Sequence, residues 1–257
     1  MAEPHKKYEL VETDTVKSWD GRTLYRIRAL VAIAHLGIAI GDLGGYIEKE
    51  ENLAQVSGNA WVSGDARVSG DARVYGDAWV YGNAWVYGDA RVSGDARVSG
   101  NAWVYGDAWV YGNAWVYGDA RVFGDARVSG DARVYGDARV YGDAWVYGDA
   151  WVSGDARVSG DARVFGDARV SPINITGLTW NVTIADTQMV IGCQAHDLAR
   201  WEKFSDRQID AMDSQALTFW KAHKDLLLGI AKANGRPVAA PADDAALSKA
   251  TAQQEGR

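Results

Sequence analysis

Valine recurs at every sixth position from Val56 to Val170, twenty times without a slip. Between valines the unit reads Ser/Tyr/Phe, Gly, Asp/Asn, Ala and Arg/Trp. A period of six excludes a helix, whose faces return every ~3.6 residues. It fits a short strand plus a corner. In Ala-(Arg/Trp)-Val-(Ser/Tyr), alternate side chains point to opposite faces, so Ala60 and Val62 face a core while Trp61 and Ser63 face outward. Gly tolerates positive φ, and Asp or Asn bonds back to nearby backbone, so Gly-Asp is the corner. Stacked hairpins would leave open edges. A coil that winds on itself pairs every strand with the one a turn above, which is a parallel β-solenoid.

The unit resembles the hexapeptide repeat of left-handed parallel β-helix proteins, a family that includes many acyltransferases. Its mark is an aliphatic residue followed four positions later by a small one, as in Val56 and Ala60. The resemblance covers residues 56–171. It implies three units per coil, a triangular section and a left hand, which spacing alone does not fix. Nineteen units give about six coils, and at ~4.8 Å per strand a rod roughly 30 Å long. The flanks are similar to uncharacterised phage and prophage hexapeptide-repeat proteins, through Leu24-Tyr25-Arg26-Ile27-Arg28-Ala29-Leu30, Gly41-Asp42-Leu43-Gly44-Gly45-Tyr46-Ile47 and Ile191-Gly192-Cys193-Gln194. That likeness implies a phage setting and no particular activity.

The expected fold is an all-β solenoid, a left-handed parallel β-helix of hexapeptide repeats, with a small β N-terminal cap and an α+β C-terminal cap. Residues 1–55 form the first cap and an irregular first coil. Tyr8–Glu12 and Thr23–Arg28 read as strands around Asp20-Gly21, and Gly37, Gly41, Gly44 and Gly45 as corners of that coil. Residues 56–171 are the repeats. Pro172 ends them. Residues 172–235 hold a hairpin (175–184 and 189–193), a short helix over 195–204, a Ser205/Gln208 capping box and an amphipathic helix over 214–234 with Gly235 behind it. Leu217, Trp220, Leu227 and Ile230 form its apolar stripe. Residues 236–257 read as a disordered tail.

Composition narrows the function. The chain carries 29 Gly, 12 Trp and 12 Tyr against 4 Phe, 4 Pro and 3 Met, unlike an ordinary enzyme core. A net charge of −7 lacks the basic excess of a nonspecific nucleic-acid binder, so no nucleic-acid partner is expected. A DNA mimic is disfavoured too, because 15 Asp in the repeats face 11 Arg. Met1–Tyr8 has no apolar run, and residues 29–40 are too short to span a bilayer. With one cysteine and no membrane partner, a cytoplasmic protein is expected, in the host cytoplasm if phage-encoded.

Acyltransferases that resemble the rod use a histidine base at a subunit interface and a loop projecting from the coils. Here His5, His35, His196 and His223 all lie outside the repeats, and no loop interrupts them. Cys193 and His196 are the candidates for a nucleophile–base pair or a metal site, although zinc takes four ligands. The blander reading is a thiol ending a strand and a packing histidine. No catalytic residue, cofactor or metal is assigned.

The outward columns carry the candidate binding residues. With three units per coil, Trp61, Trp79, Arg97, Trp115, Arg133, Trp151 and Arg169 stack on one face. A second face carries Tyr87, Tyr105, Phe123 and Tyr141. The third mixes Trp109 and Trp145 with Arg73, Arg91, Arg127 and Arg163. Such ladders stitch coil to coil and also mark interfaces. The expected function is a non-enzymatic scaffold or binding protein of phage or prophage type. It would contact a protein or carbohydrate partner through the ladders or the C-terminal helices. The alternatives are an acyltransferase-like enzyme with an inter-subunit site and a counter-defence protein sequestering a host component. Eight Trp, nine Tyr and two Phe face outward in the repeats, which predicts a homo-oligomer, a trimer by resemblance, with the Trp61–Trp79–Trp115–Trp151 face at the contact.

Overall fold

The computed structural model describes residues 6–160, 162–165, 172–236 and 238. The chain divides into two compact units, Met1–Pro172 and Ile173–Arg257.

The first unit is a β-solenoid of about seven turns. Each hexapeptide from Trp61–Val62 to Arg163–Val164 contributes one strand of two or three residues. Each strand pairs in parallel with the strand three units further along the chain, as in Trp79↔Arg97 and Trp103↔Arg121. Three units therefore make one coil. The first face holds Trp61 to Trp151 in six strands, and the third holds Arg73 to Arg163 in six. The second face has nine, because three cap strands join its end. Every repeat Val from Val62 to Val164 and every Ala from Ala60 to Ala162 is buried, so the core is three stacks of small aliphatic side chains.

Two constraints fix the coil. The first is the backbone ladder between coils, for example Trp79 N–H to Ala96 C=O and Tyr81 N–H to Val98 C=O, both 2.9 Å. The second is the corner glycine. Gly94 has φ +68°, and a Cβ there would meet Gly112 N at 2.9 Å. No other residue combines positive φ with so close an approach of the next coil.

The cap departs from the repeat. Strands β1 (Tyr8–Lys17) and β2 (Thr23–Ala29) form an antiparallel hairpin, and β3 (Leu43–Ile47) pairs antiparallel with β2 and parallel with the Arg67–Val68 strand. Tyr46 pairs with Arg67 and Leu53 bridges to Val74, in each case three positions further along the chain than the repeat register would place the partner. The three additional positions lie in the corner between Leu53 and Val62. Val56, the first valine of the sequence period, is consequently 69 % exposed. Gly44 and Gly45 are not corners, as the sequence predicts, but strand residues. A Cβ at Gly44 would meet Val62 O at 2.6 Å, and one at Gly45 would meet Ala66 O at 2.7 Å.

Tyr8 and Lys7 lock this cap on the rod. Tyr8 is buried, meets Trp61 edge to face at 6.4 Å, and its hydroxyl lies 2.8 Å from the Leu53 carbonyl. The Gln55 side-chain oxygen accepts the Lys7 and Tyr8 N–H groups, and the Lys7 ammonium donates to Ala60 O at 2.8 Å. Burial pulls the Lys7 pKa down to about 8, against an opposing pull from Asp77. Burial, then Glu50 and Glu51, pushes the Tyr8 phenol well up.

The second unit has a four-stranded antiparallel sheet of β4 (Ile173–Ile175), β5 (Val182–Ile184), β6 (Gln188–Ile191) and β7 (Gln194–Asp197), in that order. Helices α1 (Leu198–Lys203), α2 (Asp206–Asp210) and α3 (Ala216–Ala233) follow. The predicted helix over 195–204 is partly strand: Gln194–Asp197 pairs with β6, Met189 opposite His196, and only then does α1 begin. Ser205 and Gln208 form the predicted capping box. Leu198, Trp201, Trp220 and Leu227 pack in one core with Val182, Ile184 and Met189. Val238 joins that core, inside the stretch predicted as tail; residues 239–257 lie outside the described residues.

Three outcomes follow from this construction. Deleting one whole coil, Val92–Trp109, keeps every face in register, whereas deleting one unit, Val92–Arg97, turns everything beyond by one face. The first deletion is expected to melt near the parent protein and the second far below it. Equal melting of the two would reject the three-unit coil. Gly94→Ala should cost about 2 kcal/mol or more in denaturant titration, from the positive φ plus the clash with Gly112. Gly154→Ala, with φ +60° and nothing within 4 Å, should lose only the φ part.

The third outcome is a pH profile. The buried Lys7 ammonium burdens the folded cap below pH 8, and the burden lifts as pH rises toward 10.5, its ordinary value. Tyr8 acts oppositely: its raised pKa makes stability fall once pH passes 10, its ordinary value. The melting temperature should climb between pH 8 and 10 and fall above. Lys7→Met should flatten the climb; an unchanged climb in that variant would assign it elsewhere.

Candidate functional site

The outward columns stack as the three-unit spacing predicts. On the first face the register runs Trp61, Trp79, Arg97, Trp115, Arg133, Trp151. Arg169 lies outside the described residues. The Arg133 guanidinium sits between two indoles, 5.5 Å from Trp115 and 4.9 Å from Trp151. On the third face Arg127 sits likewise between Trp109 and Trp145, at 5.8 and 4.8 Å. Each such exposed pair contributes about 0.5–1 kcal/mol.

Trp61 is the exception. It is fully buried under Tyr8, and its indole N–H finds no partner. It therefore belongs to the cap's core, and Trp79, Trp115 and Trp151 are the tryptophans this face offers to solvent. No feature inside a repeat marks which unit a cap will cover.

The second face is the most ordered. Tyr87, Tyr105, Phe123 and Tyr141 stack at 4.9, 4.9 and 5.0 Å with ring planes within 3°. Beside them, Trp85 and Trp103 stack at 5.7 Å between Arg67 and Arg121. Trp85 and Trp103 belong with the candidate residues although the sequence reading passed over them. The same three-unit spacing, applied to the Arg/Trp position, finds them. Trp19, at the tip of the β1–β2 hairpin and 65 % exposed, meets Tyr87 edge to face at 5.9 Å. No periodic signal announces it. Above Trp103 the column turns wholly basic, with Arg121, Arg139 and Arg157 in register.

The stacking decides what these faces expose. Rings within 3° of parallel and about 5 Å apart cover one another's π-faces. What points to solvent is ring edges, guanidinium N–H donors and tyrosine hydroxyls, which both donate and accept. Acceptors line the corners. At two corners Asn bridges to the coil above, as in Asn59–Asp77 at 2.7 Å and Asn101–Asp119 at 3.0 Å. The third corner is Asp throughout, at Asp71, Asp89, Asp107, Asp125 and Asp143. Among the described residues, Lys49–Asp71 at 2.7 Å is the ion pair that reaches a repeat aspartate, and Arg97, Arg121, Arg127, Arg133 and Arg139 form none.

Among the described residues no hydrogen bond joins Cys193 to His196. Cys193 is exposed, with Gln194 against its sulfur at 3.9 Å. His196 packs edge to face on Trp201 and Phe204, and burial, ahead of Arg200, lowers its pKa. His223 bonds to the Phe219 carbonyl one helical turn back. Among the described residues no cluster of three or more His, Cys, Asp or Glu could hold a metal ion, and no helix is long and apolar enough to cross a membrane.

No curated protein matches the chain. The family model of the YdcK beta solenoid repeat matches residues 54–112, 114–154 and 156–171 in overlapping windows. Those windows begin six or a multiple of six residues apart and take in the columns described above. The rod is thus similar to the YdcK beta solenoid repeat.

Proposed function

We propose that the protein is a non-enzymatic solenoid scaffold whose Trp/Tyr/Arg faces bind protein, and that the first such partner is a further copy of the chain, in a trimer. The observation that carries this reading is charge that the rod does not neutralise by ion pairs of its own. Face arginines and corner aspartates run side by side along the axis, yet Arg97, Arg127 and Arg133 pair with indoles and not with carboxylates. Two copies laid together can pair one rod's face with the other's corner, because both columns share the same ~4.8 Å repeat. The absence of histidine from the repeats supports a role other than acyl transfer. A carbohydrate partner gains little support, since a sugar stacks on an open ring face and the ladder rings cover each other.

The first face, with Trp79, Trp115 and Trp151, is the contact; Trp61 leaves it because the cap covers it. Light scattering should give about three times 27.9 kDa at micromolar concentration, falling as salt is raised. Trp115→Ala with Trp151→Ala should dissociate it, each anchor being worth about 2 kcal/mol or more. A native mass near 27.9 kDa would overturn the assembly. A trimer that survives the double substitution would overturn the choice of face.

A further inference from the structure

The second unit contains a hollow that the solenoid reading does not use. It has a volume of about 80 Å³, far above the ~10–15 Å³ that one water needs and well below the ~300 Å³ of a drug-sized pocket. Two aromatic pairs wall it. Trp180 and Phe219 meet edge to face at 5.0 Å, and Trp201 and Trp220 meet at 5.1 Å with planes 38° apart. The rest of the lining is mostly aliphatic. Asp213 is the charged group among the lining residues, exposed, with one carboxylate oxygen held by the Gln215 N–H at 2.9 Å.

We propose that this hollow binds a quaternary ammonium group. Indole and phenyl walls with a carboxylate and no Lys, Arg or His in the lining favour a cation over an anion. The same aromatic cluster already draws a cation of its own chain, for the Lys224 ammonium sits 5.7 Å from the Trp220 ring centre. The walls select the kind of cation. A primary ammonium brings three N–H donors and loses water for each. The Trp201 indole N–H is spent on the Met189 carbonyl at 2.6 Å, so this wall turns ring surface and no donor toward a bound group. A quaternary ammonium has no N–H to satisfy and carries its charge on methyl groups that suit apolar walls. A choline-type headgroup and a trimethyl-lysine side chain share this chemistry.

The test is titration of the full chain by calorimetry and tryptophan fluorescence. The probes are choline, a trimethyl-lysine peptide, the same peptide unmethylated, and 3,3-dimethyl-1-butanol, the neutral isostere of choline. Choline is expected to bind at least tenfold more tightly than the isostere, and the methylated peptide more tightly than the unmethylated one. Asp213→Asn, which keeps the bond to Gln215, should weaken choline severalfold while leaving the isostere unchanged. Trp180→Leu, at a half-buried position, should weaken choline about tenfold with the circular dichroism spectrum intact. Isostere binding equal to choline would overturn the cation and leave an apolar cavity. No response to either choline or the methylated peptide at about 10 mM would overturn the site. Binding of choline but not the methylated peptide would assign the free headgroup, and the reverse the protein modification.

Discussion

The backbone ladder between units three apart is the constraint on which the rest of the first unit depends. Strands of two or three residues are far too short to be stable in isolation. Each persists because it bonds to the coil below and the coil above with the same geometry. That leaves no freedom in unit length, since one inserted residue would move Val from the core to the surface. The corner glycine serves the same end. Its positive φ turns the chain in the least backbone, and its missing side chain leaves only about 3 Å between where a Cβ would stand and the next corner. Val, Ala and Gly therefore never vary from Ala60 to Val164, while Arg/Trp, Ser/Tyr/Phe and Asp/Asn all do. The invariant positions point inward or turn the corner; the variable ones point away from the core, mostly to water, with Trp61 covered by the cap.

Stacking identical positions in register raises a problem that the variable residues solve. A column of arginines or aspartates at ~4.8 Å repels itself. On the first face, and on the third from Arg91 onward, Trp separates the guanidiniums, converting repulsion into cation–π attraction, as at Arg133 and Arg127. At two corners Asn takes alternate roles as donor and acceptor, as Asn83 to Asn101 and Asn101 to Asp119. Between Arg73 and Arg91 no Trp intervenes, and neither remedy reaches the all-Asp corner or the Arg121–Arg139 column. Like charges stand one coil apart there, and the two columns lie on neighbouring edges of the same coils.

Much of this was legible in the sequence, and the reason is physical. A period of six with alternating burial turns Ala60 and Val62 inward, and the three-unit coil that the resemblance implies places the columns from Trp79 to Trp151. The cap could not. Its coil from Tyr46 to Arg67 is three residues longer than a repeat coil, and a single irregular turn leaves no period to count. Trp61 looks outward by the repeat and is buried because β1 brings Tyr8 across it. The segment Ala195–Asp197 reads as helix because three residues give too little alternation to tell; pairing with β6 decides it. The aromatic hollow draws on Trp180, Trp201, Phe219 and Trp220, from separate segments whose meeting only the fold determines.

Chemistry in such a molecule divides between what the period allows and what escapes it. A loop-free coil offers no place where three different side chains can converge on one point, because every outward position is repeated one coil away. What the rod can offer is a surface repeated along one axis, which suits a partner that also repeats along an axis; a second copy meets that condition by construction. Its ladders cover their own π-faces, so they turn ring edges, hydroxyls and N–H donors outward beside acceptor-rich corners. Convergent sites need irregular backbone, which the second unit supplies. There a sheet edge, a short helix and the start of α3 bring four aromatic residues and one carboxylate around a single cavity. The two units thus differ by geometry: repetition gives an extended periodic surface, and irregularity gives a pocket.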